Sequence, residues 1–158
     1  SFTCGHIPVN MDKVDCICTN LRTAALAGTE FYDARLKPSG LKVTMFRLLR
    51  QIQRTPNATL TILATRTGLD RSTLGRNVRV LERQGLVAMT TGRDERSKEL
   101  FLTSEGICAL EVALPLWEKA QAEMTLIIGP ETDRLIETLR GISHLTHPDT
   151  IKAADHGR

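Results

Sequence analysis

The chain has 158 residues, 41% of them hydrophobic, which suits one domain with a real core, and four Phe, one Trp and one Tyr make that core chiefly aliphatic. No run of about eighteen apolar residues occurs, which excludes a membrane-spanning helix, and Ser1 to Asn10 lacks the charged-then-apolar order of a secretory signal. The formal net charge is only +3, and the four cysteines form no paired framework, which fits a reducing cytoplasm.

Residues 1–14 read as a leader, with Met11 an expected natural start. From Asp15 to Leu36, Ile17, Leu21, Ala24, Ala25, Gly28, Phe31, Tyr32 and Leu36 give a helical apolar stripe containing small residues. Pro38-Ser39-Gly40 ends this helix. Leu41 to Ile52 predicts a second, with Phe46, Leu48, Leu49 and Ile52 inward, and Thr55-Pro56-Asn57 breaks the chain. Leu60 to Val87 then divides into a short apolar helix, a turn at Thr67-Gly68-Leu69 and a further helix with two unlike faces. Leu74, Val78 and Leu81, spaced by four and three, form its buried stripe. Arg71, Ser72, Thr73, Gly75, Arg76, Asn77, Arg79 and Arg83 lie off that stripe. Guanidinium, hydroxyl and amide groups bond phosphates and base edges, and a glycine lets a backbone approach closely. The pattern is a helix-turn-helix; the competing reading is an amphipathic hairpin with a solvated face.

Gly85 closes that helix, and Leu86 to Met89 reads as a short strand. Thr91 to Ser97 is a polar tip, and Lys98 to Leu102 alternates back with Leu100 and Leu102 on one face. A hairpin placed after a recognition helix is a wing. Its tip carries Arg93 and Arg96, suited to a minor groove of negative potential, with Asp94 positioned to hold Arg96 by a two-pronged contact. From Arg71 to Lys98 the cations are residues 71, 76, 79, 83, 93, 96 and 98, against acids at 82, 94 and 95, so positive charge concentrates here. Thr103 or Ser104 caps a long helix running to about Ile128, about 37 Å long, with a kink expected near Leu114 from Pro115. Gly129-Pro130 stops it. Glu131 to Ser143 predicts a last helix burying Leu135, Ile136, Leu139 and Ile142, and the tail from residue 146 is polar.

The ordered set LA-x-x-x-GLDRSTLGRNV-x-x-LE-x-QGLV, then GRDERSKELFLTSEG, then a long helix, resembles the MarR family of winged-helix transcription regulators over roughly Asp15 to His144. The resemblance implies a mainly α fold of about six helices with a small β-hairpin wing, a winged helix-turn-helix dimerised through its N- and C-terminal helices. It implies an obligate homodimer on a palindromic double-stranded operator, with repression relieved by a small molecule or by thiol oxidation. Carried over by position, the DNA contacts are Arg71, Ser72, Thr73, Arg76 and Asn77 on the helix and Arg93, Asp94 and Arg96 on the wing; Arg79 and Lys98 join them on charge. Glu95, between Asp94 and Arg96, makes the tip less positive. The layout is then a leader at 1–14, dimerisation helices and the start of the DNA-binding lobe at 15–54, and the winged helix-turn-helix at 55–103. A long helix with the C-terminal dimerisation helix follows at 104–145, and a tail at 146–158.

The effector is less legible. Cys16 stands in the expected first turn of the first helix, where the macrodipole favours a thiolate although Asp15 opposes it. It resembles the early-helix cysteine of oxidant-sensing family members, with Tyr32 as partner; the plainer reading is an inert buried thiol. A disulfide between Cys16 and Cys18 is not expected, since residues two apart face opposite sides of a helix. Cys4 falls in the leader, and Cys108 is expected to face the interior. The resemblance also implies an organic, anionic and aromatic ligand near Arg22, Tyr32, Arg35 and Phe46. His144 and His147, with Asp149 and His156 beyond, are better read as solvated than as metal ligands, since Pro148 breaks the geometry. No metal or cofactor is expected. No GxSxG, P-loop, HExxH or GxGxxG motif appears, so no enzyme is predicted. The rival from another class is a winged helix that serves only protein contact or dimerisation. On the favoured reading the protein is cytoplasmic and nucleoid-associated.

Overall fold

Two residues set up the N-terminal half of the chain: Gly40, whose φ of 74° turns it, and Asp33, which reaches forward to start the next helix. The computed structural model describes residues 16–91 and 98–143. Helix α1 spans Ile17–Leu36, and a single 3-10 turn, Lys37–Ser39, leads to α2 at Val43–Gln53. The Asp33 carboxylate accepts from Val43 N at 2.7 Å, satisfying an orphan donor at the positive end of α2. This is why α2 begins at Val43 and not at Leu41, which is buried ahead of the helix.

Strand β1 (Ala58–Thr59), α3 (Leu60–Thr67), α4 (Arg71–Arg83), β2 (Val87–Thr91) and β3 (Lys98–Leu102) follow. The sheet order is β1-β3-β2, antiparallel throughout, with Val87 opposite Leu102 and Thr91 opposite Lys98. The two-residue β1, absent from the sequence reading, joins the hairpin to the helix-turn-helix through Ala58 opposite Leu100. Then come α5 (Ser104–Ile128), a 3-10 turn at Gly129–Glu131 and α6 (Thr132–Ser143). The described residues thus carry the six α-helices and small hairpin sheet expected.

Contacts divide the chain after Trp117. In the first unit one aliphatic cluster holds the fold, with Phe46, Leu49, Leu63, Leu74, Leu81 and Leu110 all at most 4% exposed. Fully burying such side chains stabilises by about 1.5–3 kcal/mol each. Phe46 also meets Trp117 at 5.7 Å between ring centroids.

Two burial expectations are corrected. Cys108 is exposed: the buried positions of this stretch of α5 are Gly106, Leu110 and Ala113, and two residues in either direction is about 200° of rotation. In α6 none of Leu135, Ile136, Leu139 and Ile142 is fully buried, and Leu135 and Leu139 are 38% and 41% exposed. Of the stripe expected in the first helix only Leu36 is fully buried; Ile17 is 73% exposed. No helix among the described residues is long and apolar enough to cross a membrane.

Candidate nucleic-acid interface

The turn between α3 and α4 is built from local chemistry. Thr59 caps α3, its hydroxyl accepting from Ile62 N at 3.2 Å. Gly68 closes α3 in the left-handed region at φ 70°, returning its N–H to Ala64 O at 3.0 Å, as a helix-ending glycine does. Asp70 then opens α4. Its Oδ1 accepts from Thr73 N at 2.9 Å and from Ser72 Oγ at 2.5 Å, and its Oδ2 accepts from Thr73 Oγ1 at 2.6 Å. Those three donors, led by the Ser72 hydroxyl, hold the exposed carboxyl well below the usual carboxylate range.

One face of α4 is sunk in the core: Leu74, Val78 and Leu81 are at most 1% exposed. That anchor presents the opposite face outward, where Arg71, Ser72, Arg76, Arg79 and Arg83 are exposed and Thr73 and Asn77 half-buried. Four guanidiniums on 13 residues face a single acid, Glu82. Arg71, Ser72, Gly75, Arg76 and Arg79, with Leu60, line a surface groove of about 560 Å³. Nothing stands within 4 Å of where a Gly75 side chain would be, so the helix backbone itself is open to a partner there. On the other flank Thr73 and Asn77 line a more enclosed cavity of about 320 Å³ with Thr44, Arg47, Gln51 and Arg66.

Three residues of this surface escaped the sequence reading. Arg47 and Arg66 add two exposed cations beside Asn77; their signal was a place off the apolar stripes of α2 and α3. Arg66 is fixed by donating from Nη1 to Thr55 Oγ1 at 3.1 Å, and Thr55 in turn donates to Gln51 O. Asp70 was legible as an acid directly before a helix whose second and third residues are Ser and Thr.

The hairpin is held to α4 and α5 by one side chain. Thr103 Oγ1 donates to Gly85 O at 2.5 Å and accepts from Gly106 N at 3.0 Å, capping α5, while its N–H reaches Leu86 O at 3.2 Å. Lys98 is exposed at the end of the ladder, opposite Thr91. Arg93, Asp94 and Arg96 lie outside the described residues, as do His144, His147, Asp149 and His156.

The proposed effector residues are scattered in role. Phe46 is committed to the core, Tyr32 is half-buried beside Phe31 at 5.5 Å between centroids, and burial raises its hydroxyl pKa. The Arg35 guanidinium stacks 3.3 Å over the Phe31 ring and donates to Phe31 O. Arg22 is exposed. Cys16 is the residue preceding α1, in extended conformation and exposed, and the hydrogen bond with the Thr19 side chain pulls its pKa below the ordinary thiol value. Among the described residues no cluster of three or more His, Cys, Asp or Glu is placed to hold a metal.

Comparison with known proteins agrees with this geometry. The sequence profile of the MarR family matches residues 39–97, from the turn before α2 to the hairpin. The M. tuberculosis transcriptional regulator MosR, solved in complex with DNA, is 39% identical over 84% of this chain and 99% of its own, with a TM-score of 0.74. The transcriptional repressor CouR, bound to a 23-mer duplex, is 27% identical over 80% and 92%, with a TM-score of 0.73. The organohalide-sensing regulator RdhR, at 19% identity, shares the fold over 95% of this chain and 91% of its own, with a TM-score of 0.78. No curated protein sequence matches. With a core-anchored arginine helix, a hairpin beside it and a relative this similar over nearly its whole length, the chain belongs to the MarR family of transcriptional regulators.

Proposed function

We propose that the protein is a homodimeric, sequence-specific DNA-binding transcriptional regulator, a cytoplasmic, nucleoid-associated repressor released by a small-molecule effector. The observation that carries the DNA reading is α4, locked into the core on one face and bearing Arg71, Arg76, Arg79 and Arg83 on the other. MosR and CouR, similar in fold and sequence, were solved on DNA. The dimer is supported by apolar side chains left outside: Ile17 and Leu26 on α1, Leu126 and Ile127 on α5, and Leu139 on α6 are 41–82% exposed. A second copy that buried them would present two α4 helices to successive major grooves, about 10 bp apart.

In this reading Arg76 and Asn77 in particular choose bases, with Ser72 and Thr73 beside them on α4, while Arg71, Arg79 and Lys98 hold phosphates and Arg93 and Arg96 enter the minor groove with Asp94 bracing Arg96. Binding of duplexes followed by anisotropy tests it. Arg76→Ala abolishes sequence preference, whereas Arg96→Ala weakens all duplexes and flattens the dependence on salt by about one unit of slope. Equal small effects contradict the assignment, and failure to bind any duplex in dilute buffer leaves the protein-contact module instead. For the effector we propose an aromatic anion near Arg22, Tyr32, Arg35 and Phe46.

A second reading is favoured by Cys16, whose thiol is exposed and acidified. Oxidation of that thiolate by a peroxide would release DNA. Cys16→Ser then retains repression but blunts release; identical release from both proteins refutes it.

A further inference from the structure

We propose that Asp70 decides which base edges α4 accepts, by holding the Ser72 and Thr73 hydroxyl protons and leaving only lone pairs to the groove. The inference rests on the DNA-binding reading above and adds a positioning residue that touches no base. An ionised carboxylate has no proton to give, so in the bonds from Ser72 Oγ and Thr73 Oγ1 each hydroxyl is the donor. A hydroxyl has one proton; once that is committed, the oxygen can only accept. Thr73 Oγ1 already does so, from Arg76 Nη2 at 3.4 Å.

The consequence is a helix start with sharply sorted polarity. Ser72 shares its groove with Arg71, Arg76 and Arg79, all donors only, and Thr73 opens on the opposite flank beside Asn77. Ser and Thr ordinarily pair with either a donor or an acceptor on a base. Here Asp70 removes the choice. Phosphate oxygens, guanine N7 and O6 and thymine O4 are acceptors that these hydroxyls cannot serve. The exocyclic amino groups of cytosine N4 and adenine N6 are the matching partners. The arginines therefore read acceptors while the two hydroxyls read amino groups, and a single carboxylate enforces the division.

The test is selection from randomised duplexes by the full-length wild type and by Asp70→Asn. Asparagine is as good a helix cap as aspartate, and its Oδ1 still accepts from Thr73 N. Its amide must donate, which turns one hydroxyl proton back to the groove. Ser72→Ala and Thr73→Val mark the base positions concerned. At those positions the wild type is expected to favour cytosine or adenine on the contacted strand by about tenfold. Asp70→Asn should lose that preference and admit guanine or thymine. Identical preferences in the wild type and Asp70→Asn overturn the proposal while leaving DNA binding intact; enrichment of no duplex by the wild type overturns both. Should Asp70→Asn not fold, retention of every preference by both hydroxyl variants overturns it equally.

Discussion

Replacing Gly106 with alanine tests the junction between hairpin and long helix by the sign of its effect. In an unconstrained helix position the change stabilises by up to about 1 kcal/mol, because alanine loses less backbone entropy. At Gly106 a Cβ would lie 2.0 Å from Leu86 O and 2.9 Å from Leu86 C, both backbone atoms. Reaching ordinary contact at 3.4 Å means opening the gap by 1.4 Å, and no side-chain rotation provides it. Overpacking of this kind costs about 1–3 kcal/mol. The Thr103 N–H bond to Leu86 O, at 3.2 Å, would stretch and forfeit about 1 kcal/mol more. The net expectation is a loss of about 3 kcal/mol, a large share of the roughly 5–15 kcal/mol that holds such a domain. Urea unfolding at fixed protein concentration, read as a shift in midpoint at constant slope, measures it. A variant as stable as the wild type, or more so, refutes the close packing of the hairpin base against α5.

Gly75→Ala is expected to act in the opposite way on folding, raising stability by up to about 1 kcal/mol since nothing stands within 4 Å. It should still weaken duplex binding by putting a methyl group in the groove; unchanged binding would show that DNA does not approach this backbone. Asp70 gives a pH signature. Its carboxyl is held below the ordinary value of 3.8, so its stabilising contribution is complete above that pH and lost as acidification approaches the folded-state value. The difference in melting temperature between wild type and Asp70→Asn should therefore close on going below about pH 4, and a constant difference down to pH 2 contradicts the network. In a variant that keeps Cys16 as its one cysteine, alkylation should proceed at lower pH than for a simple alkyl thiol, and Thr19→Ala should move that profile upward. Superimposable profiles would show that Thr19 does not acidify the thiol.

Helix α4 was legible because its apolar positions are periodic. Leu74, Val78 and Leu81 can be buried together only on a helix, and burying them fixes where Arg71, Arg76 and Arg79 point. What escaped depended on distant partners or on too few residues. The start of α2 is set by Asp33, ten residues upstream of Val43, and no local pattern announces that bond. Strand β1 is two residues long and has no period to detect. Cys108 was misassigned because a thiol among apolar neighbours looks buried until the stripe Gly106, Leu110, Ala113 is drawn. In α6 the apolar positions were read correctly as a face, but a single chain does not cover it. Arg47 and Arg66 carry no local pattern, since each is a single cation off the apolar stripe of its own helix and only the fold brings both beside Asn77.

The lone tryptophan gives the molecule a built-in optical gauge. Trp117 rests against Phe46, and the Arg50 guanidinium stands 5.0 Å above its ring. Indole emission responds to a nearby positive charge and to wetting, so its colour reports the seating of α2 against α5. Titrations with duplex, peroxide or aromatic acids can therefore be followed on the unlabelled protein through its one indole.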